Sequence, residues 1–132
     1  MGAVIAPDDW GALTLVGEAA REIVAGRVAI GEVVRTRMAT RFFSDGTVPG
    51  TVLFPLQFSC WNSNNKNRVA FCKTLREEPV FAACFDAWMT SASSDLVPGA
   101  NSYYNPNLVT PAWAASATLV AQIGNHNFMK AG

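Results

Sequence analysis

Charge is scarce in this sequence, histidine is nearly absent, and no long apolar run occurs. Of 132 residues only 15% are charged, ten basic and ten acidic, against the roughly 25% usual in soluble domains. A net charge of zero without a Lys/Arg cluster removes the electrostatic footprint on which nucleic-acid binding depends, so no nucleic-acid partner is expected. The longest strictly apolar run, Val80 to Phe85, falls far short of the ~18 residues that a membrane span requires, so no span is expected. His126 is the only histidine. A zinc site would have to be completed from cysteines or carboxylates at spacings that match no metal motif, so no metal and no cofactor are expected. Cys60, Cys72 and Cys84 are odd in number and evenly spaced, unlike a disulfide framework or the CxxC pairs of structural zinc; they read as reduced, mostly buried thiols. The opening Met1-Gly-Ala-Val-Ile-Ala-Pro-Asp-Asp has no basic n-region and no apolar stretch long enough for a signal peptide.

What is present is half hydrophobic, enough for one core, and residues 1–132 read as a single domain. Pro7-Asp8-Asp9 offers a capping carboxylate before a helical pattern from Trp10 to about Val24. Trp10, Leu13, Val16, Gly17, Ala20, Ile23 and Val24 would form its apolar stripe, with Gly11, Leu15, Glu18 and Glu22 roughly opposite. A second pattern, from about Gly26 to Ala39, gathers Ala29, Ile30, Val33, Val34 and Met38, with Glu32 and Arg35 turned away and paired at i,i+3. Arg37 falls within that apolar face and must find a carboxylate or carbonyl. From Phe42 to Asn67 the periodicity stops, and so long an irregular segment points to a binding surface. Arg68 to Arg76 and Pro79 to about Thr90 read as two further helices, the latter with Pro79 in its first turn and Phe81, Cys84, Phe85 and Trp88 facing the core. Beyond Ser94 the Pro-, Gly- and Asn-rich chain favours short extended segments, while Ala112 to Ala121 fits either helix or strand.

Most of the ten carboxylates have structural explanations as caps or pairs. Glu18 and Glu22 differ, lying one predicted turn apart beside the small residues Gly17, Ala19 and Ala20. Two readings follow from the residues alone. One is a solvated face with Glu18 paired to Arg21; the other is a carboxyl pair in which an apolar neighbour keeps one member protonated as a general acid. A Cys60/His126 nucleophilic pair, assembled in three dimensions, is a further possibility.

Leu15-Val-Gly-Glu-Ala-Ala-Arg-Glu22, followed by Gly26-Arg-Val-Ala-Ile-Gly-Glu-Val-Val-Arg-Thr-Arg37, resembles the opening of the SleB/CwlJ cell wall hydrolase family. Leu56-Gln-Phe-Ser-Cys-Trp-Asn62 resembles its Q-F-S segment in the form common among phage and proteobacterial members. Ser102-Tyr-Tyr-Asn-Pro106 resembles its Y-(Y/F)-N-P segment and Ile123-Gly-Asn-His-Asn-Phe128 its closing I-G-x-H-x-F. The four motifs occur in order across nearly the whole chain. Departures are Ala20-Arg21, which shifts the basic residue of the first motif by one position, Thr36 where Asn often precedes Arg37, and the Asn-rich stretch after Asn62.

The resemblance implies a mainly helical α+β, lysozyme-like domain with short extended segments in its C-terminal third, and a cleft between those segments and the first helix. It implies action on peptidoglycan glycan strands as a lytic transglycosylase with Glu18 as acid/base. One carboxyl group suffices for that chemistry, protonating the glycosidic oxygen and then deprotonating the muramyl C6 hydroxyl. Hydrolysis usually needs a second carboxylate about 5 to 9.5 Å away. Glu22, stacked about 6 Å off along one helix, is poorly placed to act from the opposite side of a sugar ring, so it is given a supporting role, satisfying buried Arg37. Aromatic faces and amides suit aminosugars, which makes Phe58, Trp61, Tyr103 and Tyr104 candidate platforms and Gln57, Ser59 and Asn105 candidate polar contacts, with a buried structural role the equal alternative for Phe58 and one of the two tyrosines. Asn105 stands out because its Tyr-Asn pair resembles a motif of other lytic transglycosylases; His126 is expected in a supporting role. Competing readings are muramidase hydrolysis by the same Glu18, a Cys60/His126 stem-peptide peptidase or amidase, and a non-catalytic glycan-binding virion module. Without a signal peptide, the expected route to the wall is holin-dependent release or carriage in a virion, and the expected place of action the periplasm or cell exterior.

Overall fold

The computed structural model describes residues 5–62 and 79–132. Helix α1 runs over Pro7–Ala19, α2 over Val24–Thr40, the short α3 over Val48–Val52 and α4 over Pro79–Ser91. One 3-10 turn covers Ser59–Trp61 and another Ala112–Ser116. Strands β1 (Ser102–Tyr104), β2 (Thr118–Ile123) and β3 (His126–Lys130) form an antiparallel sheet in the order β1-β3-β2. The architecture is the mainly helical α+β domain that was expected, with its strands in the C-terminal third. Among the described residues no helix is long and apolar enough to cross a membrane. The helix expected over residues 68–76, with Cys72, and the Asn-rich stretch after Asn62 lie outside the described residues.

Helix α1 begins with Pro7 in its first turn and Asp8 and Asp9 beside the exposed N–H groups, without a side-chain cap, where negative charge suits the helix dipole. Asp8 also reaches across to α4, where its Oδ1 accepts the indole N–H of Trp88 at 2.8 Å. The helix stops at Ala19, short of Val24, because Arg27 reaches back to its last carbonyls, Nε to Ala19 O at 3.2 Å and Nη2 to Ala20 O at 2.6 Å. Cations commonly close a helix C-terminus in this way. Glu22 therefore sits in the turn between α1 and α2, not on the face it was expected to share with Glu18.

The apolar stripe expected for α1 is also corrected. Leu15 and Gly11, expected outside, are buried, whereas Ile23 and Val24, expected inside, are 60% and 68% exposed. The reason is that α1 is enclosed by α2, α3 and α4, so a one-sided pattern does not apply to it. Helix α2 buries Ala29, Ile30, Val33 and Val34 as expected. Glu32 does not pair with Arg35. It is buried, accepting the backbone N–H groups of Leu96 at 3.0 Å and Val97 at 2.9 Å and the hydroxyl of Ser94, and so holds the loop after α4. Arg35 lies on the Trp88 ring, 3.8 Å from its centroid, and donates to Trp88 O and Ser91 Oγ. On α4, Phe81, Cys84 and Trp88 are buried and Phe85 partly so. Ala112 to Ala121 divides into a 3-10 turn and the start of β2. A two-residue turn joins β2 to β3, with Gly124 at φ 57°, backbone that glycine adopts without strain. From β3, Phe128 joins Leu15, Val33, Val52, Phe58 and Trp88 in one core.

Candidate active site

Glu18 lies on the last turn of α1, where the chain meets the Ser59–Trp61 turn and β1. Its Oε1 accepts the Tyr103 hydroxyl at 2.5 Å, and its Oε2 accepts the Cys60 backbone N–H at 3.2 Å and the Ser59 hydroxyl at 3.3 Å. Burial first, and then the neighbouring Glu18 charge, push the Tyr103 phenol well above its ordinary range, so Tyr103 keeps its proton and serves as donor. Three donors from two separate segments thus fix one carboxyl group in place. The solvated Glu18–Arg21 pair is not what forms.

Glu18 opens onto a cleft of about 610 Å³. One wall comes from Phe42, Phe43, Leu56, Gln57 and Ser59; the other from Ser102 to Asn105 and then Leu108, Val109, Pro111 and Trp113. Arg37 also lines it. The irregular segment after Phe42 is therefore a cleft wall. The cleft was expected between the first helix and the C-terminal extended segments, but it runs between that irregular segment and the C-terminal segments, with Glu18 the one α1 residue lining it among the described residues. Phe43 at φ 48° and Leu56 at φ 65° hold left-handed backbone that costs a bulky residue of order 1–3 kcal/mol. Both are exposed at the lip.

Of the expected sugar contacts, Gln57, Ser59, Tyr103, Tyr104 and Asn105 do line the cleft. Phe58 does not: it is 1% exposed and packs beneath the Arg37 guanidinium, 5.0 Å from its ring centroid. Trp61 is drawn to α1 instead, edge-on to Trp10 and donating its indole N–H to Thr14 Oγ1 at 2.9 Å. In their place stands Trp113, 38% exposed and edge-on to Tyr104 at 5.8 Å. Sequence reasoning missed it; the available signal was an aromatic residue in a proline-led segment with no helical or strand stripe to join.

The profile of the cell wall hydrolase family matches residues 21–129. The chain belongs to that family. The match begins just after Glu18, so the position of that residue at the cleft rests on the geometry above. Two solved structures resemble this hydrolase over nearly its whole length. The catalytic domain of the germination-specific lytic transglycosylase SleB from Bacillus anthracis is 24% identical, with 98% of each chain covered and a TM-score of 0.75. The catalytic domain of the Bacillus cereus SleB protein is 24% identical, with 98% of this chain and 95% of that one covered and a TM-score of 0.71. Both show the same lysozyme-like fold. No curated protein matches the sequence.

The supporting residues are arranged differently from expectation in this cell wall hydrolase. Glu22 does not satisfy Arg37. It turns to the β2–β3 hairpin, where Oε1 meets His126 Nδ1 at 3.2 Å and the Asn125 backbone N–H at 3.3 Å, and Oε2 accepts Asn125 Nδ2 at 3.1 Å. Burial pushes the Glu22 carboxyl up, but the Asn125 side chain and N–H, with His126, outweigh it and leave it below the ordinary value of 4.5. Arg37 donates instead from Nε to Asn101 O at 2.6 Å and from Nη1 to Gln57 Oε1 at 3.1 Å. It therefore ties α2 to the residue that leads into β1 and to the cleft wall. His126 stands edge-on to the Tyr103 ring at 5.2 Å, one contact removed from Glu18. Cys60 and His126 do not pair. The Cys60 Sγ faces Thr14 O at 4.0 Å, and burial, with Glu18 beside it, pushes the thiol far above its usual range, the reverse of what a nucleophile needs.

Proposed function

We propose that this protein is a peptidoglycan-degrading enzyme that cleaves the MurNAc–GlcNAc glycosidic bond as a lytic transglycosylase, with Glu18 as its acid/base. The observation that carries this reading is that Glu18 is the one carboxylate lining the cleft among the described residues. Glu22 lines only a smaller hollow that Glu18 shares, and its oxygens are taken by the hairpin. A single carboxyl group can complete the lyase reaction. Glu18 protonates the glycosidic oxygen as the C1–O bond breaks. The resulting carboxylate then removes the proton from the muramyl C6 hydroxyl as that oxygen closes on C1, giving a 1,6-anhydro ring and restoring the acid. Tyr103, Ser59 and the Cys60 N–H hold the carboxyl in register through both steps, while Tyr104, Asn105, Gln57 and Trp113 offer contacts to flanking aminosugars. That the Bacillus anthracis relative is a lytic transglycosylase agrees with this reading.

The test is mass spectrometry of purified peptidoglycan digested by wild type and by Glu18→Gln. Wild type is expected to release muramyl products one water lighter than muramidase fragments, and the variant to lose roughly 10²–10⁴-fold in rate while keeping its circular dichroism spectrum. Reducing muramyl ends would replace the lyase step by hydrolysis. Glycan binding without turnover, unchanged in the variant, would make the protein a binding module.

A further inference from the structure

Arg37 is 5% exposed, yet it lines the cleft. Two of its three guanidinium nitrogens are occupied, Nε by Asn101 O and Nη1 by Gln57 Oε1. Both acceptors are neutral. Nη2 has no protein partner among the described residues, and there no side-chain polar atom is both buried and unbonded, so Nη2 opens into the cleft. The plane of the guanidinium is fixed by the Phe58 ring at 5.0 Å and the Phe42 ring at 5.5 Å, leaving one donor edge aimed at whatever the cleft holds.

The charge balance is unusual. A guanidinium keeps its charge even when buried, and a buried cation is costly without an anion nearby. Burial disfavours the Arg37 cation, while Glu18 is the carboxylate whose charge favours it. Glu18 is also the group that must carry a proton when it acts as an acid. In that state Arg37 is the one cation lining the cleft and faces no anion there among the described residues.

We propose that Arg37 binds a carboxylate of the substrate through Nη2, supplying an anion-recognition point in the cleft beside the glycan backbone. This rests on the peptidoglycan reading and deepens it. Peptidoglycan carries carboxylates in two places, on the lactyl group of a muramic acid stripped of its peptide and on the stem peptide itself, and a planar fork suits either.

Binding to Glu18→Gln, which mimics the protonated acid and stops turnover, tests the proposal by calorimetry. Three ligands are compared: a GlcNAc–MurNAc disaccharide with a free lactyl carboxylate, its methyl ester, and a disaccharide-dipeptide whose lactyl group is an amide. The carboxylate-bearing ligands are expected to bind at least about tenfold more tightly than the ester, with the preference weakening as salt rises. A gain confined to the free lactyl acid assigns the site to stripped glycan; a gain confined to the dipeptide assigns it to the stem peptide. In Glu18→Gln/Arg37→Met, checked for folding by circular dichroism, the preference is expected to fall within about twofold. If that variant does not fold, the ligand comparison in Glu18→Gln decides alone, because no other cation among the described residues lines the cleft. Equal binding of acid, ester and dipeptide would overturn the proposal and leave the peptidoglycan reading standing. No binding of any of them would overturn both.

Discussion

Glu18 draws its donors from β1 and from the turn after the long irregular segment, so its placement depends on residues far along the chain. Trp113 lies further still along the chain. If Trp113 is the sugar platform at the far end of the cleft, Trp113→Ala should raise KM on long glycan about tenfold or more with kcat changed little, since stacking there is uniform binding remote from the reacting atoms. Unchanged KM would remove it from the substrate path. Glu22 supports a pH prediction. Its folded pKa is lowered, so its contribution is present above the unfolded value and is lost as pH falls through the folded one. Glu22→Gln should therefore cost about 1 kcal/mol at neutral pH, and urea denaturation should show the gap to wild type closing below pH 4.5. A gap that persists unchanged in acid would mean that the ionised carboxylate is not what the hairpin uses. Glu18, Tyr104 and Asn105 were legible in the sequence because their motifs resemble the family's; Trp113 was not, because no local pattern marks which exposed aromatic will face a cleft.

The helices show where local pattern succeeds and where it fails. The stripe on α4 packs as its spacing requires, because that helix has one face on the core. Helix α1 breaks the rule because neighbours cover it on several sides, and at Gly11 one of them comes very close: a Cβ there would run into the Trp88 indole. Gly11→Ala is therefore expected to destabilise by ~1–3 kcal/mol from overpacking, despite the better helix propensity of alanine. Denaturant unfolding checks the sign, and a gain in stability would mean that Trp88 can move. The C-terminal end of α1 was illegible for a related reason. Its stop signal is Arg27, a side chain from the next helix, and no residue within α1 announces it.

One core joins α1, α2, α3, α4 and β3, with Phe128 bringing the sheet into contact with the helices. Such a molecule should unfold as a unit. Near-ultraviolet circular dichroism, to which buried Trp88 and the packed Trp10–Trp61 pair contribute, and far-ultraviolet circular dichroism are expected to share one midpoint in thermal or urea unfolding. Two separate midpoints would mean that sheet and helices hold independent cores. The cleft is a product of this joint core, since one of its walls follows α2 and α3 and the other is β1 with the segment behind it.

Composition, hydrophobic spacing and the order of four motifs by themselves pointed to a mainly helical α+β fold with extended segments in the C-terminal third, to the family, and to a glutamate that lines the cleft, because each of these is written in short stretches of chain. Only the tertiary structure decided what Glu22 and Arg37 do, which aromatic residues face the cleft, and that Cys60 and His126 stay apart. Those outcomes turn on which distant groups the fold brings beside a buried charge or ring. Glu22 is held by the hairpin and not by Arg37, and Arg37, bonded to neutral acceptors, keeps one donor edge open to the cleft.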